Sequence, residues 1–459
     1  MSDTKEKTYL KWYNKVGYGS GDIAGNVVYA FLSTFIMFYL SDTVGLNTGI
    51  AGTLIMVSKL FDGVTDLFFG SMIDKTHTKM GKARPWMFGA YFGCAVTLVA
   101  VFAIPTSLGE FAKYAWFFIA YTLLNGVFYT ANNIAYSALT SLITKNAKER
   151  VQMGSFRFIF AFATSLLIQS VTIQAVAIMG GGAAGWRNVA VVYAIIGLVV
   201  NSLSCFSVRE LSEEELNETD GTEEENAEPE EKYGIVEAAK LLFTNKYFLM
   251  ICGVYLLTQF YSAMFNQGIY FMKYVLGDEN LLATFSWAVN IPLIISLVFT
   301  PYLVEKLKGM YKVNVFAYII ATIGRVLVLI AGYMANVPLM LAFSAFAALG
   351  MAPLQGSLNA LIAETSEYTY LTKGKRINGT MYSCTSFGVK VGGGIGTAVA
   401  GWLLAFSGYD SSLAVQSASC MNMIHIIYLW LPVVFNVLIV LVLSRLTVEK
   451  ANQKLRAKG

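Results

Sequence analysis

The chain has 459 residues, of which 56% are hydrophobic and only 14% charged, against roughly 25% charged in a typical soluble domain. Apolar runs of about 20 residues, each long enough to cross a hydrocarbon core of about 30 Å, recur along nearly its whole length. Together these exclude an ordinary soluble domain. They also exclude a β-barrel, whose strands alternate apolar and polar residues in segments of about 10. The net charge of +4 says little by itself.

In chain order, the N-terminus is a polar tail with four lysines and no cleavage-site pattern, so it is not read as a secretory signal. Twelve helical spans are predicted, within residues 20–40, 49–72, 86–105, 114–142, 155–179, 187–208, 243–272, 282–304, 314–334, 338–362, 380–407 and 424–445. The connecting loops alternate in charge. The odd-side loops hold only Lys113, Arg187 and Lys273, while lysine and arginine crowd the tails, "DKTHTKMGKARP", "TKNAKERVQ", "EKLKGMYK" and "TKGKRING". Basic residues concentrate on the cytoplasmic side. The expectation is a multi-pass protein of the plasma (inner) membrane with both termini cytoplasmic.

The acidic stretch "RELSEEELNETDGTEEENAEPEEKYG" divides the spans six and six. Few large apolar residues and high charge predict a disordered linker. A solvated linker is preferred to a docking site for a regulatory partner. The domains expected are therefore 1–208, a six-helix half; 209–240, an acidic linker; and 241–459, a second six-helix half with a short tail. "GSMIDKTHTKMGK" after span two and "PYLVEKLKGMYK" after span eight form a faint repeat between the halves.

The five cysteines lie far apart without metal spacing and read as packing residues, and His77 and His425 make no zinc pair. The polar residues inside the spans are more informative. "KLFDGVTDLFFG" puts Asp62 and Asp66 one helical turn apart, with Thr65 beside both and Lys59 a turn before. A charge facing lipid is costly, so such residues face the protein interior and mark an ion or substrate path. Two carboxylates and a hydroxyl suit a small cation or a proton; a structural network with Lys59 is the bland alternative.

Amides and hydroxyls recur in other spans: Asn26 with Asp22, Thr130 with Asn133, Gln355 with Asn359, and Thr385, Ser386 and Lys390, while Arg157 opens span five. Amides match sugar hydroxyls, which need paired donors and acceptors, although any one of them could simply join two helices. Gly392 and Gly396 are spaced for close helix contact, and Arg325 could snorkel or pair with an acid. No nucleophile–base pair, metal constellation or phosphate loop is visible, so the chain is not read as an enzyme, and nucleic acid is not expected as a partner.

The ordered segments "YGSGDIAGN", "FYLSDTVGLNTGIAG", "KLFDGVTDLFFGSMIDKTHTKMGKARPW", "NNIAYSAL", "ERVQMGSFR" and "IAETSEYTYLTKGKRINGTMYSCTSFGVKVGGGIG" together resemble the glycoside–pentoside–hexuronide:cation symporter family. The resemblance runs from about residue 16 to 445. It implies an all-α membrane protein with the major-facilitator fold, two pseudo-symmetric six-helix halves, and cation-coupled sugar uptake by alternating access. Position by position, the family's cation site falls on Asp62, Thr65, Asp66 and Thr130. Its sugar site falls on Asn26, Asn133, Arg157, Gln355, Thr385, Ser386 and Lys390.

A gating network is expected from Lys59, Asp74, Arg84, Glu364, Glu367, Lys373 and Arg376, the two glutamates meeting Lys373, Lys375 and Arg376. The melibiose carrier has acids where this chain has Asn26 and Asn133, and a Trp at Gln355. Those departures favour the glucuronide and pentoside branches. Arg157 and Lys390, with fewer acidic partners, could serve an anionic sugar such as a hexuronide, but a neutral glycoside or short oligosaccharide is preferred. Na+ is preferred as coupling cation over H+ or Li+, no cofactor is expected, and nothing demands an oligomer. A lysolipid carrier of the same fold and a non-transporting sugar sensor are the alternatives.

Overall fold

The computed structural model describes residues 8–144, 146–212, 215, 240, 242–374 and 378–457. Most of the expected linker lies outside them. The chain divides into two compact units, Met1–Ala227 and Glu228–Gly459. Among the described residues there is no strand.

Among the described residues, twelve long helical stretches carry the fold. In the first unit, α1 (Trp12–Gly19) and α2 (Gly21–Phe38) continue through a π-helical turn at Tyr39–Thr43 as one span. Next come α3 (Thr48–Asp74) and α4 (Arg84–Val101). α5 (Glu110–Thr122), a π-helical stretch (Leu123–Tyr129) and α6 (Thr130–Leu142) make one span, followed by α7 (Ala147–Ile178) and α8 (Gly182–Ser207). The second unit holds α9 (Lys246–Phe265) with α10 (Gly268–Tyr274), then α11 (Leu281–Lys306), α12 (Met310–Tyr333), α13 (Val337–Lys373) and α14 (Asn378–Phe406). Its last span joins α15 (Ala418–His425), a π-helical turn (Ile426–Trp430) and α16 (Leu431–Arg445). A short helix, α17 (Val448–Arg456), ends the fold.

Ten of these stretches are long and apolar enough to cross a membrane. The two that fall short are Thr48–Asp74 and Glu110–Leu142, which hold Lys59, Asp62, Asp66, Asn125, Thr130 and Asn133. Polar side chains here displace the apolar ones that lipid contact favours.

Loop chemistry repeats between the units. Glu210, just past α8, accepts the backbone N–H groups of Lys82, Ala83 and Arg84 at 2.7, 3.0 and 2.8 Å, so it caps the start of α4. Glu449, just past α16, accepts those of Met310 and Tyr311 at 2.9 and 2.7 Å and caps α12 in the same way. The orphan donors of a helix start are met, and the negative charge sits at the positive end of the helix dipole. Glycine precedes each cap for a physical reason. Gly81 (φ +113°) and Gly309 (φ +144°) both have backbone angles that side chains rarely adopt, and a Cβ on Gly81 would lie 2.3 Å from the Glu210 carboxyl carbon.

In the second unit, Gly392 and Gly396 pack α14 onto α9. A Cβ on Gly396 would lie 2.8 Å from that of Ala263, and one on Gly392 3.1 Å from Leu256. The tail is more than a polar end, because α17 buries Val448 and Asn452.

Candidate cation and sugar sites

Asp62 sits in the middle of α3 and is only 9% exposed. Its carboxylate faces the π-helical stretch of span four: a Cβ added to Gly126 would lie 3.2 Å from Asp62 Oδ1. The absence of a side chain at 126 is what lets the acid approach that backbone. Asp62 also acts electrostatically on Lys59, itself half-buried, and on Tyr121. Thr130 lies one turn beyond Gly126 and is buried, and its hydroxyl donates to the Asn125 carbonyl at 2.8 Å. The Thr65 hydroxyl donates to the Asp62 carbonyl at 3.2 Å. Asp62, Thr65 and Thr130 are thus hard-oxygen groups on two packed helices, the donor chemistry a small cation prefers. Asp66 stands on α3 one turn further on; its side chain lies outside the described residues.

Arg157 has a partner that the sequence reading missed. Its Nε lies 2.6 Å from Asp22 Oδ2, and its guanidinium stands 4.2 Å from the Tyr136 ring centroid. The Tyr136 hydroxyl reaches Asp22 Oδ2 at 3.1 Å and the Tyr18 carbonyl at 2.8 Å. The expectation that Arg157 is short of acidic partners is therefore corrected. Asp22 was visible as an acid in an apolar span, and that was the signal available. Asn26, one turn along from Asp22, donates to the Asp22 carbonyl at 2.9 Å and accepts from Ser165 at 3.3 Å.

The paired asparagines of span four divide. Asn132 is buried and donates to the Met87 carbonyl at 2.6 Å and to Asn201 Oδ1 at 3.0 Å, fastening span four to α4 and α8. Asn133 is exposed on the adjoining face. Adjacent residues of a helix point about 100° apart, so Asn132 serves packing while Asn133 does not.

In the second unit, Gln355 is exposed on α13 and Lys390 is half-buried on α14. Thr385 and Ser386 stand on α14 with side chains outside the described residues, as are that of Asp74 on α3 and the whole of Arg376.

Part of the network expected for gating falls on described residues. Arg84 Nε donates to the Cys205 carbonyl at 3.0 Å, and its guanidinium lies over the Phe206 ring. Glu364 accepts from Asn452 at 2.8 Å, and Glu367 meets Arg456 at 3.3 Å. Both of these partners belong to α17, which folds back along α13 so that its polar face reaches the glutamates. Lys373 is exposed, and Lys375 and Arg376, the other basic residues expected to meet the glutamates, lie outside the described residues.

The N-terminal segment is held by a buried acid absent from the sequence reading. Glu149 accepts from the backbone of Tyr9 and Leu10 at 3.2 and 3.1 Å and from Thr144 at 2.7 Å, and pairs with Lys15 at 3.2 Å. Burial pushes its carboxyl up, but these donors outweigh burial and hold it below its ordinary value.

Two six-span units, each with charged and amide side chains inside its spans, define a membrane transporter of the major-facilitator type. The family described as "MFS/sugar transport protein" matches residues 17–450, and the chain belongs to it. The chain is 27% identical, over 98% of its length and 92% of the relative's, to an isoprimeverose transporter of Lactiplantibacillus pentosus. It is 26% identical, over 87% of its length and 85% of the relative's, to a glucuronide carrier protein homolog of Escherichia coli (strain K12). Among solved structures, a bacterial homolog of the human lysosomal transporter Spinster superposes with a TM-score of 0.71 at 13% identity, covering 95% of this chain and 97% of that one; this likeness concerns the fold.

Proposed function

We propose that the chain is a cation-coupled sugar symporter that takes up a glycoside or pentoside by alternating access, with Na+ as the coupling ion. The observation that carries this reading is Asp62, a buried carboxylate in an otherwise apolar span, brought against span four at Gly126. A carboxylate at that depth is costly unless it serves an ion. The names of the relatives, a carrier of isoprimeverose and a glucuronide carrier homolog, support a sugar as cargo.

In this reading Asp62, Thr65, Asp66 and Thr130 supply oxygens to the cation. Its charge offsets the acids and tightens α3 against span four. Asn26, Asn133, Arg157, Gln355, Thr385, Ser386 and Lys390 serve the sugar. The Asp22–Arg157 pair supports the preference for a neutral sugar. A guanidinium already matched by a carboxylate at 2.6 Å gains little from a second anion, so a neutral glycoside is favoured over a hexuronide.

The test is uptake of a panel of labelled glycosides, pentosides and glucuronides by membrane vesicles under an imposed Na+ gradient, then an imposed pH gradient. Accumulation of a neutral member driven by Na+ is expected. Accumulation driven only by the pH gradient would replace Na+ with H+. No accumulation of any member by a folded protein would overturn the symporter assignment.

A further inference from the structure

A second buried charge lies far along the chain from the acids of α3. Arg325, in α12, is only 2% exposed, so it does not snorkel. Its guanidinium stands 5.2 Å from the Tyr261 ring centroid and 4.9 Å from that of Phe265. These two residues are one turn apart on α9, and their rings are nearly parallel at 6.1 Å. The Tyr428 ring, from the π-helical turn before α16, stacks on Phe265 at 5.9 Å. Three helical segments therefore close around one guanidinium.

The polar atoms of this enclosure share a feature. Arg325 Nε, Arg325 Nη1, the Tyr261 hydroxyl and the Tyr428 hydroxyl are all buried, and none has a hydrogen-bond partner among the described residues. Both tyrosines lie within electrostatic reach of Arg325, and the Tyr261 hydroxyl is near enough to the guanidinium for a weak side-chain contact, short of a well-formed hydrogen bond. No described acidic side chain pairs with Arg325. An arginine cannot shed its proton to escape burial as a lysine can. Ring faces offer a cation partial compensation, but they accept no strong hydrogen bond. Two obligate guanidinium donors without a well-formed acceptor, beside two hydroxyls that can donate, leave an unbalanced positive charge that calls for a negatively charged acceptor.

We propose that Arg325, Tyr261 and Tyr428 form a binding site for a small monatomic anion of the chloride class inside the second unit. The anion accepts from the guanidinium and the two hydroxyls and balances the charge. The tyrosines, 5% and 2% exposed, leave no opening for a carboxylate-bearing sugar. The site is thus distinct from the sugar-binding residues and independent of the symport reading. Its role is to fasten α9, α12 and the last span to one another.

The experiment is thermal unfolding of the purified full-length protein in detergent, at fixed ionic strength and fixed Na+, with gluconate replaced stepwise by chloride or bromide. Saturating chloride is expected to raise the midpoint by about 2–4 °C, and Arg325→Met is expected to abolish the dependence. Tyr261→Phe, which keeps the charge and the ring, should move the half-saturating chloride roughly fivefold higher; it decides the matter if Arg325→Met does not fold. Crystals grown in bromide should show an anomalous peak beside Arg325. An unfolding midpoint indifferent to chloride overturns the proposal. So does an equal chloride effect in the wild type and in whichever variant folds, because the halide would then act elsewhere.

Discussion

Gly126 is as informative about the candidate cation site as the acids themselves. A methyl group there would crowd Asp62 Oδ1 at 3.2 Å, which is tight but not prohibitive. Gly126→Ala should therefore fold and transport, with the Na+ concentration for half-maximal uptake raised roughly tenfold, equivalent to about 1.4 kcal/mol of lost ion binding. An unchanged Na+ requirement would remove Asp62 from the ion path. Glu149 gives a prediction in pH. Its carboxyl is held below its ordinary value by its donors, so the stability it contributes is present above that value and fades as pH falls through the depressed one. Glu149→Gln should flatten the acid limb of the protein's stability curve, as read by unfolding in detergent between neutral and acid pH. The charged residues inside spans were legible because each breaks an apolar run. Their partners were not, because pairs such as Arg157 with Asp22 are 135 residues apart and only packing brings them together.

At the scale of elements, the two glutamate caps make the internal repeat physical. Glu210 and Glu449 each end a unit's last span and each secure the start of its third. Replacing either by alanine strips a helix start of its acceptor and should cost about 1–2 kcal/mol, seen as a lower unfolding midpoint. The two losses should add, since the sites share no partner. Equal stability of Glu449→Ala and the wild type would reduce that contact to a surface pairing. The long helical stretches were legible in the apolar runs, but the faint repeat of the loops did not include the capping glutamates, which lie far along the chain from the helix starts they secure. The π-helical stretches were not, because widening a turn changes which carbonyl a hydrogen bond reaches and leaves composition untouched. α17 was missed for another reason. It is short and polar, and its burial of Val448 and Asn452 shows only when α13 is beside it.

For the whole molecule, family membership across residues 17–450 and the twelve helical stretches make this a sugar transporter of the major-facilitator type. In the proposed function, cation and sugar are thermodynamically coupled through Asp62. The coupling is reciprocal by necessity, since each ligand must change the other's affinity by the same factor. The most direct test is equilibrium binding of the transported sugar to purified protein with and without saturating Na+, and of Na+ with and without saturating sugar. Equal factors of about 5–150 are predicted for the wild type, falling to one in Asp62→Asn, which should still bind sugar. Sugar affinity indifferent to Na+ in the wild type, or the same factor retained in Asp62→Asn, would contradict the account.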